Sequence, residues 1–126
     1  MLNKIMLIGN LGRDPELNVT AEGTPVTKFS LAVNRKYKTQ TGETKEETEW
    51  FQIVTWRQLA EICERYLHKG SKVYIEGRLT QRKYTDRTGT ERIAVEVIAN
   101  DMQMLSPKQT ETSATDEGDP FLPDEL

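Results

Sequence analysis

Residues 59–85 read LAEICERYLHKGSKVYIEGRLTQRKYT, and their hydrophobic period changes halfway along. Leu59, Ile62, Cys63, Tyr66 and Leu67 recur at i, i+3, i+4, i+7 and i+8, the spacing of a helix with one apolar stripe. Glu61 and Arg65 stand at i, i+4, where opposite charges can pair on the outer side. Lys69 suits the negative C-terminal end of such a helix, and Gly70 is placed to supply a left-handed cap. From Lys72 the period becomes two, which predicts a long strand over Lys72 to Thr85, interrupted by Gly77. Asp86-Arg87-Thr88-Gly89 is a hairpin-turn sequence, and Glu91 to Leu105 is the returning strand.

Three more strands are expected upstream. Lys4 to Leu11, KIMLIGNL, is the first, and Gly9 within it signals a bulge or a close backbone approach. Asp14-Pro15 then marks a turn. Val26 to Arg35 alternates, with Phe29, Leu31 and Val33 on one face and Lys28, Ser30 and Asn34 on the other. Residues 36–47, KYKTQTGETKEE, read as a long mobile hairpin loop, and Thr48 to Trp56 as a β-branched and aromatic third strand. The order β-β-β-α-β-β, with glycines that let long strands coil, fits an all-β fold. It matches a five-stranded Greek-key OB barrel with one α-helix between strands 3 and 4, the helix plugging an open end.

Charge divides the chain. Over all 126 residues the net charge is −3 and the pI about 5.3, which taken alone disfavours a phosphate-binding protein. Residues 1–105 carry 16 basic and 14 acidic residues, whereas residues 106–126 carry one lysine and six acids. The barrel is therefore mildly positive and the tail strongly negative. Residues 106–118, SPKQTETSATDEG, lack any large apolar side chain and are expected to be a disordered linker. In residues 119–126, DPFLPDEL, isolated apolar groups return among acids; this fits a short docking peptide and equally a solvated tail.

Several functions are disfavoured. One cysteine, Cys63, precludes an internal disulfide and a cysteine-built zinc site, and one histidine, His68, argues against a multi-histidine site. No apolar run is long enough to span a membrane, and the N-terminus lacks a signal-peptide pattern, so a cytoplasmic protein with no membrane partner is expected. There is no P-loop and no G-x-S-x-G; Cys63 reads as core, and His68 lies at a polar helix end. A non-enzymatic protein without cofactor or metal is expected.

Aromatic and basic residues, by contrast, are interleaved: Arg35-Lys36-Tyr37-Lys38, Trp50 and Trp56 with Arg57, and Arg82-Lys83-Tyr84. Trp50 and Trp56 are six apart, hence on one face of a regular strand, and Arg78, Thr80, Arg82 and Tyr84 share another. Rings that stack on unpaired bases beside cations that follow phosphates are what single-strand binding requires.

The chain resembles the bacterial single-stranded DNA-binding proteins of the homotetrameric OB-fold family. The resemblance is carried by Asn3-Lys4, Leu7-Ile8-Gly9-Asn10-Leu11-Gly12, Asp14-Pro15-Glu16, Thr48-Glu49-Trp50 and Leu59-Ala60-Glu61. It continues through Tyr66-Leu67, Lys69-Gly70-Ser71, Val73-Tyr74-Ile75-Glu76-Gly77 and Met102-Gln103-Met104-Leu105, so that it spans residues 1–105. It implies stacking roles for Tyr37, Trp50, Trp56 and Tyr84, with phosphate contacts from Arg35, Lys36, Lys45, Lys69, Arg82 and Lys83. It implies a homotetramer whose first strands pair between subunits, with Phe51 at a subunit interface. It implies a nucleoid-associated role in replication, recombination and repair. The tip residues Asp119, Pro120, Phe121, Leu122, Asp124, Glu125 and Leu126 would recruit replication and repair proteins, although family tips end in Pro-Phe and here Pro120-Phe121 is internal. A primosomal accessory protein of related barrel, or an RNA-binding OB subunit, is the alternative.

Overall fold

The computed structural model describes residues 1–106. The acidic tip and all of the expected linker beyond Ser106 lie outside the described residues. Six strands and one helix follow in the order β1 (Ile5–Leu11), β2 (Glu16–Val19), β3 (Pro25–Lys38), β4 (Thr44–Trp56), α1 (Arg57–Tyr66), β5 (Lys72–Thr85) and β6 (Glu91–Met104). Five of the strands close a barrel in the order β1-β5-β6-β4-β3, with β3 returning to β1 through Asn10↔Ala32 and Leu11↔Leu31. The pairing of β4 with β6 is parallel, at Ile53↔Val97 and Val54↔Ile98; the other pairings are antiparallel. This is the Greek-key OB barrel expected from the element order, with its helix between the third and fourth barrel strands.

Alternation along each strand builds the core. Leu7, Phe29, Leu31, Ile53, Val73, Ile75 and Val97 all point inward and are buried. Two glycines allow the closure. A Cβ on Gly9 would run into the Ala32 carbonyl oxygen, and one on Gly77 into the Ile98 carbonyl oxygen, beside the register shift at Glu76/Gly77. Both strands must bend where a neighbouring backbone comes close, and only a residue without a side chain leaves room.

The helix covers one end with a narrower face than the apolar stripe suggested. Ala60, Cys63 and Leu67 are buried, whereas Ile62 and Tyr66 are exposed. Below Ala60, the buried Thr27 hydroxyl donates to the Ala60 carbonyl at 2.7 Å, and the Thr55 hydroxyl donates to the Thr27 carbonyl at 3.0 Å. Burial pushes the Cys63 thiol up to about 11, which makes it an inert core group and a poor nucleophile. Glu61 and Arg65 form no ion pair among the described residues. Nor does Gly70 cap the helix: α1 ends with the Leu67 N–H on the Cys63 carbonyl, in extended backbone. Gly70 instead takes φ +91° in the following turn, where its N–H reaches the Leu11 carbonyl at 2.9 Å.

Two segments differ from expectation. Residues 36–47 are mostly strand, not loop: β3 and β4 continue as a two-stranded arm through Arg35↔Glu47 and Tyr37↔Lys45 to Lys38↔Thr44. Only Thr39–Glu43 turns, closed by the Thr39 N–H on the Glu43 carbonyl at 2.8 Å. An arm polar on both faces buries nothing, so its sequence shows no hydrophobic alternation. Strand β2 was also not anticipated. It is a four-residue ribbon that pairs with the start of β3 and lies outside the closed barrel. The hairpin at Asp86–Gly89 forms as expected. The Asp86 carboxylate accepts from the Thr88 and Thr90 N–H groups, the Thr88 hydroxyl and Arg92 Nε, which together hold it down at about 2.

Candidate nucleic-acid interface

The outward face of β3 and β4 carries both candidate tryptophans. Inward residues of this pair are odd-numbered, as Phe29↔Ile53 and Leu31↔Phe51 show. The other ladder runs Ala32↔Trp50, Ser30↔Gln52, Lys28↔Val54 and Val26↔Trp56, with Val26 and Val54 buried and the rest of it reaching the surface. Trp50 and Trp56 share this face, roughly 20 Å apart at about 3.3 Å per residue. They are 60% and 41% exposed, so neither ring is used to fill the core.

Local structure fixes both rings. The edge of the Trp50 ring rests on Gly12: a Cβ there would stand 2.6 Å from Cζ3 and 2.8 Å from Cη2. Gly12 is in turn tied to the sheet by its N–H on the Ser30 carbonyl at 3.1 Å. We expect Gly12→Ala to keep the fold but to push the Trp50 ring off its seat. The ring's far end can move more cheaply than backbone can, so the change should appear as a shifted Trp50 emission with an unchanged melting temperature. Trp56 is the last residue of β4, and α1 begins with no linker. Arg57 absorbs the bend with φ +60°, a left-handed conformation that is uncommon for a side-chain-bearing residue.

The same outward face continues across β6 to β5. Val54 is level with Ile98, and Ile98 is level with Arg78. Arg78, Thr80, Arg82 and Tyr84 thus face the same side as the two tryptophans, and the parallel run of β4 and β6 sends Tyr84 toward the Trp50 end. The Arg82 guanidinium lies over the Tyr84 ring, 5.8 Å from its centre, and reaches Glu96 at 3.3 Å.

Tyr37 is placed differently. It lies on the opposite face of the β3–β4 arm, paired with Lys45 and covered by the Arg35 guanidinium at 5.1 Å. Glu47 holds Arg35 by an ion pair and raises its pKa above the ordinary value. The two tyrosines are built alike, each with an arginine two residues earlier over its ring and a cross-strand glutamate holding that arginine.

The basic candidates divide by the same parity. Lys36 and Arg82 are on the tryptophan side. Arg35 and Lys45 are with Tyr37. Lys83 is paired with Ile93 on the far face of the β5–β6 ribbon. Lys69 is in the turn after α1, where its N–H reaches the Asp14 carboxylate at 2.8 Å. Phe51 is half-buried against the core at the inner edge of β4. Three further cations stand on the tryptophan side: Arg13, Lys28 and Arg78. The alternation of residues 26–35 already placed Lys28 outward, but Arg13 lies outside any strand, just before Asp14-Pro15, and has no periodic signal.

Beside Lys28, Ser30 and Gln52 on this face is a cleft of about 240 Å³, lined by Arg13, Asp14, Glu16, Lys28, Phe29, Ser30 and Gln52. Among the described residues there is no cluster of side chains that could hold a metal ion, and no helix long and apolar enough to cross a membrane.

The chain is similar to several known proteins. A family model described as the single-strand binding protein family matches residues 2–105. A protein of Chlorobaculum tepidum named single-stranded DNA-binding protein 1 is 48% identical over 116 residues, covering 91% of this chain and 72% of its own length. The single-stranded DNA-binding protein of Neisseria meningitidis serogroup A is 47% identical over 104 residues, 82% of this chain. This chain spans 60% of the Neisseria protein's length. A solved Plasmodium falciparum SSB complex with ssDNA superposes with a TM-score of 0.78 at 35% identity, covering 84% of this chain and 96% of that one.

Proposed function

The chain belongs to the single-strand binding protein family, and on that premise we propose that it binds single-stranded DNA without sequence-specific recognition and protects it. The carrying observation is the pair Trp50 and Trp56, exposed on one outward sheet face with Lys28, Lys36, Arg78 and Arg82 around them. Exposing two tryptophans to water has a cost in apolar hydration, which stacking on unpaired bases recovers. The cations supply the phosphate contacts. Arg35 with Tyr37, and Lys45 beside them, extend the contact surface along the arm; Lys69 and Lys83 would serve DNA that passes around the edges.

The wider roles are proposed on the same premise. Assembly into a homotetramer is supported by β1. Its Ile5–Ile8 segment pairs with β5 on one side only among the described residues, and Met6 and Ile8 are exposed on its outer face. An open strand edge with apolar residues beside it is a template for another strand. Phe51 would lie at a second contact between subunits. Action in replication, recombination and repair within the cytoplasmic nucleoid, and recruitment of partner proteins by residues 119–126, complete the proposal.

The test is the salt dependence of oligo(dT) binding by the intact chain. The logarithm of affinity should fall linearly with the logarithm of salt, by about 0.7 per phosphate contact. An affinity independent of salt would remove the electrostatic half of the reading. Matched RNA competing better than oligo(dT) would replace DNA as the ligand.

A further inference from the structure

We propose that the single strand continues past Trp56 along α1, where Tyr66 is a further stacking position and Arg65 its phosphate contact. The proposal rests on the single-strand reading above and extends its track onto the helix.

Exposure singles out the ring. Among the described residues the exposed aromatic rings are Tyr37, Trp50, Trp56, Tyr66 and Tyr84. Four of these carry the stacking roles proposed above, and Tyr66 carries none. At 53% it is more exposed than all of them but Trp50. Its helical spacing suggested a place in the core, and the narrow barrel end leaves it in water instead.

The surroundings match those of the other two exposed tyrosines. Arg35 lies over Tyr37 and Arg82 over Tyr84; the Arg65 guanidinium lies over the Tyr66 ring, 6.0 Å from its centre. The difference is in the charge. Arg35 and Arg82 are held by Glu47 and Glu96, whereas Arg65 has no ion pair among the described residues. A guanidinium not held by a carboxylate is free to leave the ring for a phosphate, and a base then takes its place over the ring.

Helical geometry gives the track a side. At about 100° per residue, Ile62 stands roughly 40° from Tyr66 about the axis, whereas Glu61 and Glu64 stand roughly 140° and 160° away. Glu61 lines a cleft with Arg57, Gly23, Thr24 and Pro25, which places the acidic flank on the side of the β2–β3 turn. A strand on the Tyr66 flank therefore meets Arg65 before either glutamate. The distance is short. Because α1 begins directly after Trp56, Tyr66 is roughly 15 Å further along its axis. Lys69 follows in the next turn, exposed, and this track gives it a strand to contact.

Binding of the full chain to labelled oligo(dT) of increasing length tests the track. Tyr66→Ala removes an exposed ring and leaves the core intact, so the melting temperature should hold. We expect it to weaken binding of the longer oligonucleotides by roughly 5-fold or more, the lower end of what one stacked base contributes, and to leave the shortest that bind unchanged. Arg65→Gln should lower the salt slope by about 0.7 for the longer ones alone. Tyr66→Trp in a chain that also carries Trp50→Phe and Trp56→Phe keeps a ring at each position and leaves one indole, on α1. Its emission should fall with long oligo(dT) and hold with short. If Tyr66→Ala matches the parent at every length, weakens every length equally, or lowers the oligomeric state in native mass spectrometry, the track is overturned and single-strand binding stands. A parent chain that binds oligo(dT) of no length would overturn both.

Discussion

Replacing Trp50 and Trp56 together by alanine is expected to lower affinity for oligo(dT) by about 2–6 kcal/mol, which is roughly 30-fold to 10⁴-fold. Each stacked base contributes about 1–3 kcal/mol by such a substitution. The rings are roughly 20 Å apart along β4, beyond the range at which neighbouring substitutions couple, so their losses should add. Neither ring fills the barrel, so the melting temperature should stay close to that of the parent. Anisotropy of a labelled oligonucleotide reads the affinity, since the double substitution removes both of the chain's tryptophans. An affinity within twofold of the parent would mean that the bases stack elsewhere.

The second large effect is on stability. Ile53 is fully buried where β4 meets β3 through Phe29 on one side and β6 through Val97 on the other. Ile53→Ala should cost about 2–5 kcal/mol, from lost burial and the cavity left behind. Against the 5–15 kcal/mol typical of a small domain, this is a large fraction, and urea unfolding should show it as a lower midpoint with an unchanged slope. At low temperature, where the variant is still folded, its affinity for oligo(dT) should match the parent. A shared loss of both would tie the outward face to the core more closely than the alternating ladder allows.

These two substitutions sit three residues apart on one strand, and the sequence distinguishes them by parity alone. Ile53 is odd and inward; Trp50 and Trp56 are even and outward. That much was legible from the two-residue period, although Val54 and Thr55 are buried beside Ile53 and the burial itself does not alternate there. The arm was not, because Arg35 to Lys38 and Lys45 to Glu47 face water on both sides and leave no alternation to read. The helix was half-legible. The stripe from Leu59 to Leu67 marked a helix, but the barrel end is narrow enough that Ala60 takes a buried place and Ile62 and Tyr66 do not. Gly9 and Gly77 announced close approaches, and the carbonyls they meet, on Ala32 and Ile98, depend on pairings between residues far apart in the chain.

The candidate site shows the same division. The tryptophan pair and the Arg82–Tyr84 stack follow from local spacing. The cleft does not, because it combines the turn after β1, the start of β2 and the middles of β3 and β4. Nor does the seat of Trp50 on Gly12, which spans 38 positions of sequence but is a direct contact in the fold.

Tryptophan emission of the intact chain during titration with oligo(dT) at low salt tests most directly whether the Trp50–Trp56 face is where single strands bind. Emission should fall with each addition and level off at a fixed ratio of nucleotides to protein, and raising the salt should restore it. Saturable binding of a labelled oligonucleotide with tryptophan emission unchanged would contradict the claim, since both rings would then be spectators.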